Sequence, residues 1–239
     1  MLVNVGKLMS HTSTKGGGGV KRPFNPSLVD AWFMSGFSNN DKPSSIRGVK
    51  GNEVVLKNFA FTSESGFGEG NYEGALVFDG VDDYGICTGL PLMDDYTVIC
   101  RRKIIRIKNS SAVASKRTYP GDIGSFGAFV FERVYSHGVK TTISFGKSND
   151  MSEFDSNEVV YQTKTSYNGT TINSSNSNDS DILCLGANAY NISLGICQEF
   201  SNVAIYYFSL YNKSLTPEEV EEEKVKLENY WEGGKNELA

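Results

Sequence analysis

Residues 202–211, Asn-Val-Ala-Ile-Tyr-Tyr-Phe-Ser-Leu-Tyr, constrain the fold of this chain more than any other stretch. Successive side chains of an extended backbone alternate between its two faces. That puts Val203, Ile205 and Tyr207 on one face and Ala204, Tyr206 and Phe208 on the other. Apolar side chains on both faces need cover on both, so the segment is expected to be a central strand between two layers. Residues 139–145 show the other pattern: Val139, Thr141, Ile143 and Phe145 interleave with Lys140, Thr142 and Ser144. This period of two predicts a half-buried strand with one wet face.

Strand-like runs recur at short intervals elsewhere, at Glu53–Phe61, Ala75–Phe78, Tyr84–Cys87, Tyr96–Ile107, Phe126–Tyr135, Glu158–Thr165 and Ile182–Gly186. Ala75–Phe78 and Tyr84–Cys87 read as a pair around Asp79-Gly80-Val81-Asp82-Asp83, whose residues tolerate left-handed backbone. Ser136-His137-Gly138 reads as a hairpin connection between Phe126–Tyr135 and the alternating strand. Many short strands with turn residues between them predict an all-β protein, an antiparallel sandwich of the jelly-roll kind. The 25 glycines and 12% aromatic content agree with that class.

One helix is expected, at the end. Thr216-Pro217-Glu218-Glu219 is a capping box, with Thr216 as N-cap, Pro217 at the first helical position and Glu219 reaching back. Val220, Leu227 and Trp231 share a stripe, and Gly233-Gly234 is expected to stop the helix. At the other end, residues 1–27 read as an extended arm with a run of four glycines, Gly16 to Gly19, followed by Lys21-Arg22-Pro23-Phe24-Asn25-Pro26. The division expected is thus an arm (1–27), leader strands packing on the sandwich (28–70), the sandwich (71–215) and the helix (216–234).

The 23 basic and 28 acidic residues give a net charge of 23 − 28 = −5, which argues against nucleic acid as a partner. Arg101-Arg102-Lys103 is a local exception, but neighbours in a strand point to opposite faces and form no single patch; salt bridges or a wet face are expected there. No apolar run is long enough for a membrane helix, and the first residues lack the apolar core of a secretory signal. Assembly in a cytoplasm is the expectation. Cys87, Cys100, Cys184 and Cys197 lie in apolar strand-like stretches without metal-ligand spacing, and read as buried reduced thiols. Disulfides become possible only outside the cell. The sequons Asn168-Gly-Thr170 and Asn191-Ile-Ser193 then mark only polar stretches.

Two segments resemble the laminin-G-like, or concanavalin A-like, lectin and glucanase superfamily. The first is Ala75-Leu-Val-Phe-Asp79-Gly80-Val-Asp82-Asp83-Tyr84; the second runs from Phe200 to Val220, a closing strand with a "Y-N-x-x-L-T-x-E-E" exit. Between them Ser166-Tyr-Asn168-Gly169-Thr170 stands where these domains often carry an Asn-Gly hairpin. Residues 28–70 resemble a leader found before such domains in bacteriophage virion proteins, carried by Trp32, Met34-Ser-Gly36, Asn39-Asn-Asp41, Gly51-Asn52 and Asn58-Phe-Ala-Phe61. The resemblance implies a concanavalin A-like sandwich in a virion structural protein, a head decoration or a fibre component. Its partners would be other virion proteins, bound through arm residues Lys21, Arg22 and Phe24, with host-surface or mucin glycans as a second target. A homo-oligomer located in the virion is expected. The alternative is a stand-alone carbohydrate-binding module.

An enzyme is not expected. Glu153-Phe-Asp155-Ser-Asn-Glu158 matches the E-x-D-x-x-E pattern of laminarinase-type glucanases, which use paired carboxylates on the glycosidic bond. Gly146 to Asp150 before it and Ser156-Asn157 within it read as loop, so a solvated acidic loop is the expectation. Asp79, Asp82 and Asp83 offer hard oxygen ligands, yet serve a tight turn equally well; no metal site is expected. His11 and His137 are the two histidines, too few for a histidine-based centre. No cofactor, catalytic residue or specific ligand-binding residue is assigned. The polar loop Ser166–Ser180 could bind sugar hydroxyls but reads first as a solvated connection.

Overall fold

A computed structural model describes residues 23–117, 129–135, 138–144, 147–172, 180–191 and 196–236. The chain runs through β1 (Leu28–Phe33), β2 (Ser45–Arg47), β3 (Glu53–Lys57), β4 (Gly66–Phe67), β5 (Leu76–Asp79) and β6 (Tyr84–Cys87). Next come β7 (Thr97–Arg106), β8 (Ser111–Lys116), β9 (Phe129–Val134), β10 (Lys140–Ser144), β11 (Lys147–Met151) and β12 (Val159–Thr163). Then follow β13 (Ser166–Tyr167), β14 (Thr170–Thr171), β15 (Leu183–Leu185), β16 (Asn188–Asn191), β17 (Ile196–Gln198), β18 (Asn202–Tyr211) and helix α1 (Pro217–Asn236). The strands form two eight-stranded antiparallel sheets and one small ribbon. Sheet A has the order β14-β13-β12-β7-β18-β5-β4, with β1 also on β18; sheet B has the order β11-β10-β9-β8-β15-β6-β3-β2; the ribbon is β16-β17. This is the all-β sandwich expected.

Strand β18 is the spine of sheet A. One of its edges pairs with β7 along its whole length, and the other is shared by β5 (Asn202–Ile205) and β1 (Tyr207–Tyr211). Both faces are covered, as expected, but the phase of the alternation changes midway. Ile205 pairs with Arg102 and Tyr207 with Arg101, so two residues of β18 oppose one step of β7. Such a bulge inserts one unpaired residue and flips the faces beyond it. Val203, Ile205, Phe208 and Leu210 therefore face sheet B, whereas Ala204, Tyr206, Tyr207 and Tyr211 face α1. Strict alternation had placed Tyr207 and Phe208 the other way round.

Three further expectations need correction. β5 and β6 are not a hairpin: they belong to opposite sheets, so the Asp79–Asp83 turn is a corner between layers. Thr142, expected on the wet face of β10, lies inside and donates to Gln162 of the facing sheet, which in turn donates to Tyr96 at 2.6 Å. A buried hydroxyl is tolerated once such a network satisfies it. Of Gly146 to Asp150, read as loop, residues 147–150 belong to β11, which runs along β10. The hairpin of β9 and β10 is present, with Gly138 at φ +82° where Tyr135 meets Val139. The Asn-Gly hairpin of β13 and β14 is present too, both turn residues being left-handed (φ +44° and +78°).

The leader contributes strands to both sheets and is tied in by one carboxylate. Asp30, fully buried in β1, accepts from the backbone N–H groups of Lys50 and Asn52 and from the Asn52 amide, at 2.8–2.9 Å. A Cβ at Gly48 would stand 2.3 Å from that carboxylate, which is why glycine is needed there. Trp32 donates to the carbonyl of Asn52 at 3.0 Å.

Helix α1 roofs the outer face of sheet A. Its capping box forms as read: Thr216 Oγ1 accepts from Glu219 N–H at 3.2 Å, and the Glu219 carboxylate accepts from Thr216 N–H at 2.9 Å. Val220, Leu227 and Trp231 pack on Ala31, Ile99 and Ala204. Each apolar side chain so buried is worth roughly 1.5–3 kcal/mol. The helix does not stop at Gly233-Gly234 but continues to Asn236. Trp231 is pinned by donating to Gly74 O and by the Ser35 hydroxyl donating to Trp231 O. A glycine costs a helix only about 1 kcal/mol against alanine, too little to end one anchored so close by.

Candidate functional site

Where α1 crosses β7 and β12, it leaves a polar groove of about 420 Å³ lined by Arg101, Asn157, Glu158, Val159, Lys224 and Glu228. That volume lies within the roughly 300–1,000 Å³ of ligand sites, in a shallow groove that stays open to solvent. Arg101 is its centre. The guanidinium donates to Glu228 at 2.6 Å through Nη1, and to Glu158 at 3.0 Å through Nη2 and 3.3 Å through Nε. Below, it lies 4.2 Å from the Trp231 ring centroid and 5.1 Å from that of Tyr206. Burial works against the cation, but the hydrogen bond to Glu158 and the charges of Glu228 and Glu158 outweigh it and hold its pKa above the usual arginine value.

The other walls are equally fixed. Glu228 also accepts from the Tyr207 hydroxyl at 2.8 Å, and burial followed by the Glu228 charge pushes that phenol's pKa up. Lys224 donates to Glu221 at 2.8 Å and stands 5.0 Å from the ring centroid of Tyr161. The loop carrying Asn157 and Glu158 is held from inside the sandwich. Arg102, on the opposite face of β7 from Arg101, donates to Asn157 O at 2.6 Å and Asp155 O at 2.8 Å. It also forms a two-point ion pair with Glu132 of sheet B, to which the Tyr167 hydroxyl donates. Arg102 and Glu132 are 2% and 1% exposed, so this pair is interior and no face of it is wet. The basic triplet thus sends one arginine out to line the groove and one in to brace its floor.

The E-x-D-x-x-E residues do not converge. Glu153, with its side chain 73% exposed, pairs with Lys140; Glu158 belongs to Arg101; Asp155 accepts from Asn157 N–H at 2.7 Å. Burial tends to raise the Asp155 pKa, but that hydrogen bond, Asn168 and Arg102 bring it below the carboxylate norm. Glu158 nevertheless reaches the groove, as does Asn157 between the motif positions. Lys224 and Glu228 carried no expectation of their own; the one signal for them was the stripe that turns α1 onto the sheet.

Asp79, Asp82 and Asp83 have carboxylate oxygens within 4.8 Å of one another. They serve the corner between sheets: Asp79 accepts from Val81 N–H at 2.7 Å, and Asp83 accepts from Asp79 N–H and the Ser65 hydroxyl, both at 3.0 Å. Burial, only partly offset by these bonds, lifts the Asp83 carboxyl to about 6. Asn168 Oδ1 accepts from Tyr161 N–H at 2.8 Å. Of the arm residues, Phe24 rests on Tyr230 of α1 with centroids 5.1 Å apart; Lys21 and Arg22, like His11 and His137, lie outside the described residues. All four cysteines are free and buried.

No family model and no curated protein matches this chain. Among solved structures it is similar to Trypanosoma rangeli sialidase in complex with sialic acid, with a TM-score of 0.53 and 11% identity over 82% of this chain and 32% of that one. The same sialidase in complex with 2,3-difluoro-KDN gives 0.53 and 12% identity over 90% and 34%. The binding domain of botulinum neurotoxin serotype D matches at 0.47 and 12% identity, over 87% and 52%. The chain spans about a third of the sialidase's length, and at this identity the likeness establishes a shared sandwich fold.

Proposed function

We propose that this chain is a non-catalytic, lectin-like recognition domain that binds carbohydrate in the groove beneath α1. The observation that carries the reading is the groove itself: a fixed polar trough in which an amide, two carboxylates and two cations meet beside an aromatic ring. Sugar hydroxyls donate and accept at once, and such a mixed set answers both needs. The carboxylates accept from Arg101, which suits them to orient a ligand and leaves no free pair poised on a glycosidic bond. A glycan array with neutral, amino and sialylated sugars tests this; the sialylated set is included because the similar sialidase was solved with sialic acid. Specific binding without sugar release is expected. Binding that Asn157→Ala and Lys224→Ala leave unchanged would remove the groove from the account.

The setting proposed for this domain is the exterior of a bacteriophage particle. Support comes from the resemblance of residues 28–70 to a virion leader and from the glycine-, proline- and base-rich arm. On this reading Lys21, Arg22 and Phe24 dock on neighbouring virion proteins, Phe24 from its seat against Tyr230. Arm peptide bonds should be cut by protease in the free chain and protected in particles. Equal cutting in both would count against docking.

A further inference from the structure

Among the described residues, the ribbon of β16 and β17 packs on the outer face of sheet B at β8 and β15. Alternation in β15 sends Leu183 and Leu185 into the inter-sheet core and Cys184 outward. The ribbon lies over that face and brings Cys197 of β17 down beside Cys184, with Tyr84, Ile86 and Phe200 packed around them. Both thiols are buried, and their sulfurs stand 2.8 Å apart. A disulfide bond measures about 2.05 Å, so the pair needs only a small closing movement to be linked.

We propose that Cys184 and Cys197 form a cross-linking site, joined as a disulfide when the chain meets an oxidising environment, so that the ribbon is stapled to sheet B. The step is thiol–disulfide exchange with a small-molecule disulfide such as oxidised glutathione. The Cys197 thiolate attacks one reagent sulfur, the reagent S–S bond breaks, and the departing thiolate takes up the proton that Cys197 gave up. Cys184 then loses its proton, its sulfur displaces the second reagent thiolate from the mixed disulfide, and that thiolate is protonated. Two protein thiols are oxidised to one disulfide and one reagent disulfide is reduced to two thiols. The hydrogen bond that Cys184 shares with Cys197, with burial behind it, holds the Cys184 thiol well above the usual range. Attack therefore waits on an outward excursion of the ribbon, and oxidation takes minutes to hours.

Cys87 and Cys100 are built-in controls, because both point into the inter-sheet core. The test is non-reducing peptide mapping of the native chain after incubation with oxidised glutathione, paired with thermal melts. Alkylatable thiols should fall from four to two, with the Cys184 peptide joined to the Cys197 peptide. The two positions are 13 apart in sequence, and closing a loop of that size should raise Tm by roughly 6–12 °C, reversibly with dithiothreitol. Cys197→Ser should lose the redox dependence of Tm; if that variant fails to fold, the oxidised and reduced wild-type chains decide the matter alone. Four free thiols after equilibration, a link through Cys87 or Cys100, or equal melting of the two forms would overturn the proposal.

Discussion

The two outer faces of the sandwich are closed by different means. Over sheet A lies a helix of 20 residues that buries a full apolar stripe and carries Lys224 and Glu228 of the groove on its flank. Over sheet B lies a ribbon of two short strands, held by a small cluster around Cys184, Ala187 and Cys197 and by Glu199, which accepts from Arg133 and Asn188. The roof rests on area and hydrophobic burial; the ribbon rests on a few specific contacts. A cover of the first kind makes a stable wall for a binding groove, whereas one of the second kind opens more readily. Hydrogen exchange should accordingly find α1 better protected than β16 and β17.

Substitutions probe that contrast, beginning with the largest effect. Trp231→Ala removes the anchor of the roof and the platform beneath Arg101; a loss of about 3–5 kcal/mol in urea unfolding is expected, together with loss of sugar binding. Asp83, at the corner between sheets and under neither cover, supplies a pH signature. Its folded value of about 6 lies above the ordinary aspartate value of 3.8, so protonation stabilises the fold fully below about pH 3.8 and that stabilisation is lost as pH rises through about 6. Relative to Asp83→Asn, the wild-type chain should lose on the order of 2–3 kcal/mol between pH 4 and pH 7. Glu199→Ala cuts the ribbon's polar tie and should cost about 1–2 kcal/mol while leaving sugar affinity unchanged. Thr216→Ala removes the helix cap for about 1 kcal/mol, and calorimetry would resolve it. If Glu199→Ala proved costlier than Trp231→Ala, the contrast between the covers would be wrong.

The roof was legible in the sequence and the ribbon was not, for a physical reason. A capping box and an apolar stripe are local patterns, so Thr216, Glu219, Val220, Leu227 and Trp231 announce the helix and its buried side. The ribbon is defined by contacts with β8 and β15 that no local pattern encodes. The same limit explains the strands. Val203 to Tyr211 read correctly as central, but one bulged residue, invisible in the pattern, exchanged Tyr207 and Phe208 between faces. Ala75–Phe78 and Tyr84–Cys87 read correctly as strands, but a turn of five residues serves a hairpin and a corner equally well. At the groove, Arg101 and Glu158 each stood in a motif noted for another reason. Their meeting with Lys224 and Glu228 required α1 to fold back across β7 and β12, a tertiary fact.

The central claim is that the space between α1 and β12 is where a sugar sits. Amide-resolved NMR during titration with the best array ligand tests it. Saturable shifts confined to residues 157–159, 224 and 228 and their neighbours are expected, abolished in Asn157→Ala. Shifts centred on β16 and β17, or none at saturating sugar, would contradict it.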